Sequence, residues 1–102
     1  SVNTSVLLFL ENNLVSEIHL SAGGVSAIPF YLFKTCEFLK EKELTIENLN
    51  EALTIVQNEI SPISDARGSA EYKRLLLERL IYAHFITLFP EIFNIEETYE
   101  KL

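Results

Sequence analysis

The stretch Ile60-Ser61-Pro62-Ile63-Ser64-Asp65-Ala66-Arg67-Gly68-Ser69-Ala70-Glu71-Tyr72-Lys73-Arg74 decides how this chain is organised, and a long apolar run, Leu75 to Phe89, follows it at once. Pro62 pushes Ser61 out of helical geometry and has no N–H to give a sheet ladder. Gly68 and Ser69 stand where a new helix begins. The stretch therefore reads as a shaped connector into a helix, with Asp65, Arg67 and Tyr72 at its entrance.

Upstream of the connector the pattern changes from strands to helices. Val2, Thr4, Val6, Leu8 and Leu10 alternate with Asn3, Ser5, Leu7 and Phe9, which predicts a strand apolar on one face and partly apolar on the other. Glu11-Asn12-Asn13 reads as a turn because Asn tolerates left-handed geometry. A second strand follows, with Leu14, Ile18, Leu20 and Ala22 on one face and Val15, Glu17, His19 and Ser21 on the other. Gly23-Gly24 permits a bulge or sharp bend, and Val25 to Ile28 is a candidate third strand. Pro29 suits the first turn of a helix with Tyr31, Leu32, Cys36 and Leu39 on one face, ending in the solvated Lys40-Glu41-Lys42-Glu43. Thr45 is placed to cap a second helix, Glu47 lies in its first turn, and Ile46, Leu49, Leu53, Val56 and Ile60 form its apolar face.

Downstream, a third and longest helix is expected from about Ser69 to Leu88, stopped by Pro90. It carries two apolar stripes: Leu76, Leu80, Ala83 and Thr87, and Leu77, Ile81, Phe85 and Leu88. Such a helix is central to the fold or covered by a partner. Asn94-Ile95-Glu96-Glu97 resembles a helix start within an acidic tail, residues 91–102, which Ile92, Phe93, Ile95 and Tyr99 could pin to the body. Strands first and helices after predict an α+β sandwich: an antiparallel sheet of about three strands with three helices on one face, making one domain over residues 1–90.

Composition bounds the function. A chain of 102 residues makes one domain. Hydrophobic residues are 48% of it and mean hydropathy is +0.18, enough apolar surface for docking as well as a core. The net charge of −7 argues against nucleic-acid binding, which needs clustered Lys and Arg. No apolar run approaches the roughly 20 residues that span a bilayer, and the N-terminus lacks the basic region of a signal peptide. A start at Ser1 rather than Met suggests an excised piece of a longer polypeptide. A single cysteine makes no internal disulfide, so a reducing, cytoplasmic setting is expected.

The connector resembles the C-terminal domain of the FAD-binding (medium) subunit of molybdenum hydroxylases, the family of xanthine dehydrogenase and aerobic carbon monoxide dehydrogenase. The pattern there runs roughly Pro-x-x-Asp-x-Arg-x-Ser-x-x-Tyr-Arg/Lys, matched here by Pro62, Asp65, Arg67, Ser69, Tyr72 and Lys73. A second landmark, Gly-Gly-Val after the second strand and before a proline-started helix, is matched by Gly23-Gly24-Val25 and Pro29. The resemblance covers Val2 to about Leu88. It implies a non-catalytic domain of a larger oxidoreductase. In the parent, FAD takes electrons from two [2Fe-2S] clusters that receive them from a molybdenum cofactor. The domain packs beside the flavin cleft and helps join the iron-sulfur and molybdenum subunits. FAD is then held mainly by glycine-rich loops of preceding domains, and no cofactor is expected on this chain alone.

Each candidate site also has a structural explanation. Asp65, Arg67, Ser69 and Tyr72 could dock onto a neighbouring domain, but a polar loop must first satisfy its own donors, with Asp65 accepting from backbone or Arg67 and Tyr72 bonding back to the connector. Gly23-Gly24 before a helix could cradle a phosphate, but the dinucleotide glycine fingerprint is absent and a strand-end bend accounts for both glycines. Cys36, His19 and His84 lack ligand spacing, and Cys36 lies on an apolar helix face. No catalytic or metal-binding residue is therefore assigned. Two rivals remain. One is an independent module that self-associates through the third helix, as a homodimer of the chain. The other is a small enzyme that would need a pocket gathering Cys36 or a His with an acid.

Overall fold

The computed structural model describes residues 2–26, 28–66 and 68–93. Asn12 and Asn13, with φ of 55° and 66°, make the two-residue turn between β1 (Asn3–Glu11) and β2 (Leu14–Gly23). Positive φ at both central residues lets the turn follow the right-handed twist of a hairpin. β3 (Phe30–Tyr31) pairs antiparallel with β2, giving the order β1-β2-β3. Three helices follow: α1 (Phe33–Leu39), α2 (Ile46–Glu59) and α3 (Ala70–Leu88). The α+β class and the three-strand, three-helix order agree with the sequence reading.

The hairpin register holds a surprise. Phe9 pairs with Glu17 but Leu10 pairs with Val15, so Ser16 is an extra residue in β2. Its hydroxyl donates to the Phe9 carbonyl at 3.1 Å. This bulge reverses the inside-outside phase of β2. Val15 joins Ile18, Leu20 and Ala22 in the core, while Leu14, expected on their face, is exposed.

The bend at Gly24 has φ of 78°, a conformation that favours glycine. It carries the chain past Val25, which is buried, rather than into a strand. The third strand thus lies beyond the expected Val25–Ile28. Pro29 precedes β3 instead of opening a helix, and the helix starts four residues later at Phe33. Leu32, Cys36 and Leu39 are buried as expected, whereas Tyr31 belongs to β3 and is exposed.

Both expected caps form. Thr45 Oγ1 accepts from Asn48 N at 3.1 Å, and Ser69 Oγ accepts from Tyr72 N at 3.0 Å. The apolar face of α2 and the Leu77-Ile81-Phe85 stripe of α3 enter one core with the inner face of β2. The other stripe of α3 is turned outward: Leu76 and Leu80 are half-buried, Ala83 and Thr87 exposed. Gln57 and Arg74 tie the two long helices. Arg74 Nη1 donates to Gln57 O at 2.6 Å, and Gln57 Nε2 donates back to Arg74 O at 3.2 Å. After α3 the chain turns so that Phe93 packs edge-on against Phe85, centroids 5.8 Å apart, and the core takes a residue from the segment read as a tail. The expected helix start at Asn94, with Ile95 and Tyr99, lies outside the described residues.

Candidate functional site

The connector is organised by Lys73. Its Nζ donates to the Ile63 carbonyl at 2.6 Å and lies 3.1 Å from Asp65 Oδ2, with 9% of its side chain exposed. One buried cation thus gathers two points of a loop that has little regular structure of its own. Asp65 and Gly68 exchange backbone hydrogen bonds of 3.0 and 3.1 Å, closing a tight turn. Ser64 Oγ accepts from Ala70 N at 2.8 Å, so Ser64 and Ser69 share the capping of α3. At Gly68, with φ of 155°, a Cβ would stand 3.1 Å from Tyr72 Cδ2. Tyr72 therefore meets the connector through its ring, laid over Gly68, and remains more than half exposed. Arg67 lies outside the described residues. Asp65, Ser69 and Tyr72 stand in one loop, with the Asp65 carboxylate on Lys73 and Tyr72 N on Ser69 Oγ. Lys73, which completes the motif, carries the centre of the arrangement.

Gly23 and Gly24 do not lead into a free helix N-terminus. Glu59, at the end of α2, occupies the amide end of α1: its Oε2 accepts from Lys34 N at 2.8 Å and its Oε1 from Thr35 N at 2.7 Å and Thr35 Oγ1 at 2.5 Å. A carboxylate already fills the position an anion would take, and it would repel a phosphate. The first helix after this glycine pair therefore offers no free amide end to the pyrophosphate of FAD. Sequence reasoning missed Glu59 because nothing local marks it; its partners are 24 and 25 residues away.

His19, Cys36 and His84 do not form one site. His84 Nε2 lies 3.3 Å from the Thr4 carbonyl on the far side of the sheet. His19 stands on the open face of the sheet, its Nδ1 2.9 Å from Tyr31 Oη and its Nε2 3.3 Å from Glu17 Oε2. Burial raises the Tyr31 phenol above the ordinary range, and its hydrogen bond to Cys36 adds to this. Burial also pushes the Cys36 thiol up, outweighing the hydrogen bonds from Tyr31 and Leu20 N that lower it. A thiol held neutral is a poor nucleophile. Among the described residues no group of three or more His, Cys, Asp or Glu could hold a metal ion.

What the surface does offer is apolar area. Leu7, Phe9, Tyr31 and Phe33 are each more than 40% exposed. The first three share the open side of the sheet, because the inner face of β1 alternates with theirs and Tyr31 pairs across from Ser21.

Similarity to known proteins follows the same outline. No curated protein sequence matches the chain. Among solved structures it is similar to a chain of CO dehydrogenase from Oligotropha carboxidovorans (20% identity, TM-score 0.72) and one from Hydrogenophaga pseudoflava (21%, 0.73). It is also similar to a chain of quinoline 2-oxidoreductase from Pseudomonas putida 86 (18%, 0.70). Each likeness covers 78% of this chain and 28% of the other, so the chain spans little more than a quarter of those proteins' length. At such identities the likeness is one of fold. The sequence evidence is more specific: the model of the CO dehydrogenase flavoprotein C-terminal domain matches residues 1–88, the whole sheet, all three helices and the connector between α2 and α3. With the hairpin, the Gly-Gly bend and the capped connector all inside that match, the chain belongs to the CO dehydrogenase flavoprotein C-terminal domain family.

Proposed function

We propose that this chain is a non-catalytic assembly domain of the FAD subunit of a molybdenum hydroxylase-type oxidoreductase. It packs beside the flavin-binding region of its own polypeptide and supports the subunit arrangement through which electrons pass from [2Fe-2S] clusters to FAD. The observation that carries this reading is the family match over residues 1–88. The geometry supports it. The connector motif builds a rigid loop around Lys73 rather than a reactive centre, and Cys36 is buried and neutral. The cofactor itself would be held outside this chain, because Glu59 already accepts from the amide end of α1, the first helix after the glycine pair.

No helix among the described residues is long and apolar enough to cross a membrane; the cytoplasmic setting in this reading rests on the single cysteine. The partners are the flavin-binding region and the iron-sulfur and molybdenum subunits. The reading is tested by sequencing upstream of Ser1 and mixing the chain with whatever region is encoded there in frame. Glycine-rich flavin loops upstream, whose product co-migrates with this chain, support it. A start codon directly before Ser1 with no such region overturns it.

A further inference from the structure

We infer that β1 is a pairing edge, and that its occupant is β1 of a second copy of this chain. Three observations fix which backbone groups of β1 point away from β2. Val15 N donates to Lys42 O at 2.9 Å and Val15 O accepts from Glu41 N at 2.7 Å, so Val15 turns its backbone away from β1. Leu20 O, which accepts from Leu32 N at 2.9 Å, does the same. Their cross-strand partners are Leu10 and Val6. In an antiparallel ladder, residues of such a pair point their N–H and C=O away from each other. Leu10 and Val6, with Leu8 and Thr4 at the same parity, therefore point theirs off the sheet. Thr4 O points to that edge as this parity requires, and there it already meets His84 Nε2 at 3.3 Å.

Edges of this length are normally blunted by Lys, Pro or bulged backbone. β1 has nine residues, Asn-Thr-Ser-Val-Leu-Leu-Phe-Leu-Glu, with no Lys and no Pro, and the Ser16 bulge sits on the partner strand. Its one charge, Glu11, is at its end. The groove beside it, about 640 Å³, is lined by residues including Val2, Val6, Leu80, Ala83, His84 and Thr87, with no Lys, Arg, Asp or Glu among them.

The strand complements itself in one register. With Leu7 opposite Leu7 of the copy, Val6 faces Leu8, Thr4 faces Leu10, and Glu11 faces Asn3, so no like charges meet. Val6 and Leu8 then form the central hydrogen-bonded pairs, Thr4 O stays with His84, and Leu7 sits on the two-fold axis in a non-hydrogen-bonded pair. Both helix layers fall on the same side of the enlarged six-stranded sheet. The outward stripe of α3, whose Ala83 and Thr87 allow close approach, turns toward its counterpart. Repulsion between two chains of charge −7 is screened beyond about 8 Å at physiological salt, and the junction itself is neutral. This inference does not depend on the flavin-subunit reading.

The test is the mass of the full 102-residue chain in solution by sedimentation and light scattering over a concentration series. The wild type is expected to dimerise. Leu7→Lys and Leu7→Glu, at an exposed position, are each expected to be monomeric and folded by circular dichroism. An equimolar mixture of the two is expected to recover the dimer, because opposite charges then meet across the axis. If either charged variant fails to fold, Leu7→Cys replaces it. Mild oxidation should give a covalent dimer, as non-hydrogen-bonded antiparallel pairs bring Cα atoms to about 4.5 Å. A wild type monomeric up to about 1 mM, a dimer unaffected by Leu7→Lys, or a Leu7→Cys chain that does not cross-link would each overturn the proposal.

Discussion

Lys73 Nζ lies 3.1 Å from Asp65 Oδ2 and donates to the carbonyl of Ile63 at 2.6 Å from a side chain that is almost wholly buried. The two contacts are unequal. Asp65 is 41% exposed, so its ion pair is weakened by solvent and contributes under about 1 kcal/mol. The bond to Ile63 O is charge-assisted and made by a buried donor, and its loss costs more. Lys73→Met keeps the stem and removes the head. It is expected to destabilise the chain by about 1–3 kcal/mol in a denaturant titration, against less for Asp65→Asn. Equal effects of the two substitutions would mean that the ion pair, not the carbonyl contact, organises the connector.

Glu59 joins the end of α2 to the start of α1, and the seven-residue α1 has no side-chain cap of its own. Glu59→Ala leaves Lys34 N and the Thr35 N–H and hydroxyl without their acceptor. The expected loss is about 1–2 kcal/mol, which lowers the thermal midpoint of a domain this size by several degrees. Glu59→Gln, which keeps one acceptor oxygen, should lose less. If Glu59→Ala melts with the wild type, α1 does not need this cap.

Alkaline pH should unfold the chain by a defined route. Burial raises the Tyr82 phenol, with the Glu78 carboxylate adding to it, and burial raises the Cys36 thiol. In both cases the folded chain prefers the protonated, neutral form. Their contribution is fully present below the unfolded-state values, about 8.5 for the thiol and 10 for the phenol, and is lost as pH rises through the higher folded-state values. Stability is therefore expected to fall above about pH 8.5, and Cys36→Ala should flatten the first part of that fall. A stability curve of Cys36→Ala parallel to that of the wild type between pH 8 and 10 would contradict the assignment.

Local chemistry was legible in the sequence where a side chain acts on its own neighbourhood. Thr45 and Ser69 were readable as caps, Asn12-Asn13 as a turn, and the buried face of α2 from its spacing. The reading slipped where register or distant partners decide. Val15 and Ile18 are both apolar with Ser16 and Glu17 between them. In a strand that spacing signals a bulge, and it places Val15 rather than Leu14 inside. Val25 to Ile28 has strand-like residues, but the left-handed Gly24 turns the chain first, and β2 pairs instead with Phe30 and Tyr31. Glu59 and the Glu17-His19-Tyr31 cluster exist only because the fold joins separate elements. At the candidate site, the motif identified Asp65, Ser69 and Tyr72, but spacing alone gave no reason to put the buried cation of Lys73 at its centre.

The most direct measurement is a titration of the chain with FAD, followed by flavin fluorescence and visible absorbance. An assembly domain in which Glu59 fills the amide end of α1, the first helix after the glycine pair, should leave the flavin spectrum unchanged and show no saturable binding up to about 100 μM. Saturable binding near 1 μM with a shifted flavin spectrum would contradict the account and place the cofactor on this chain itself.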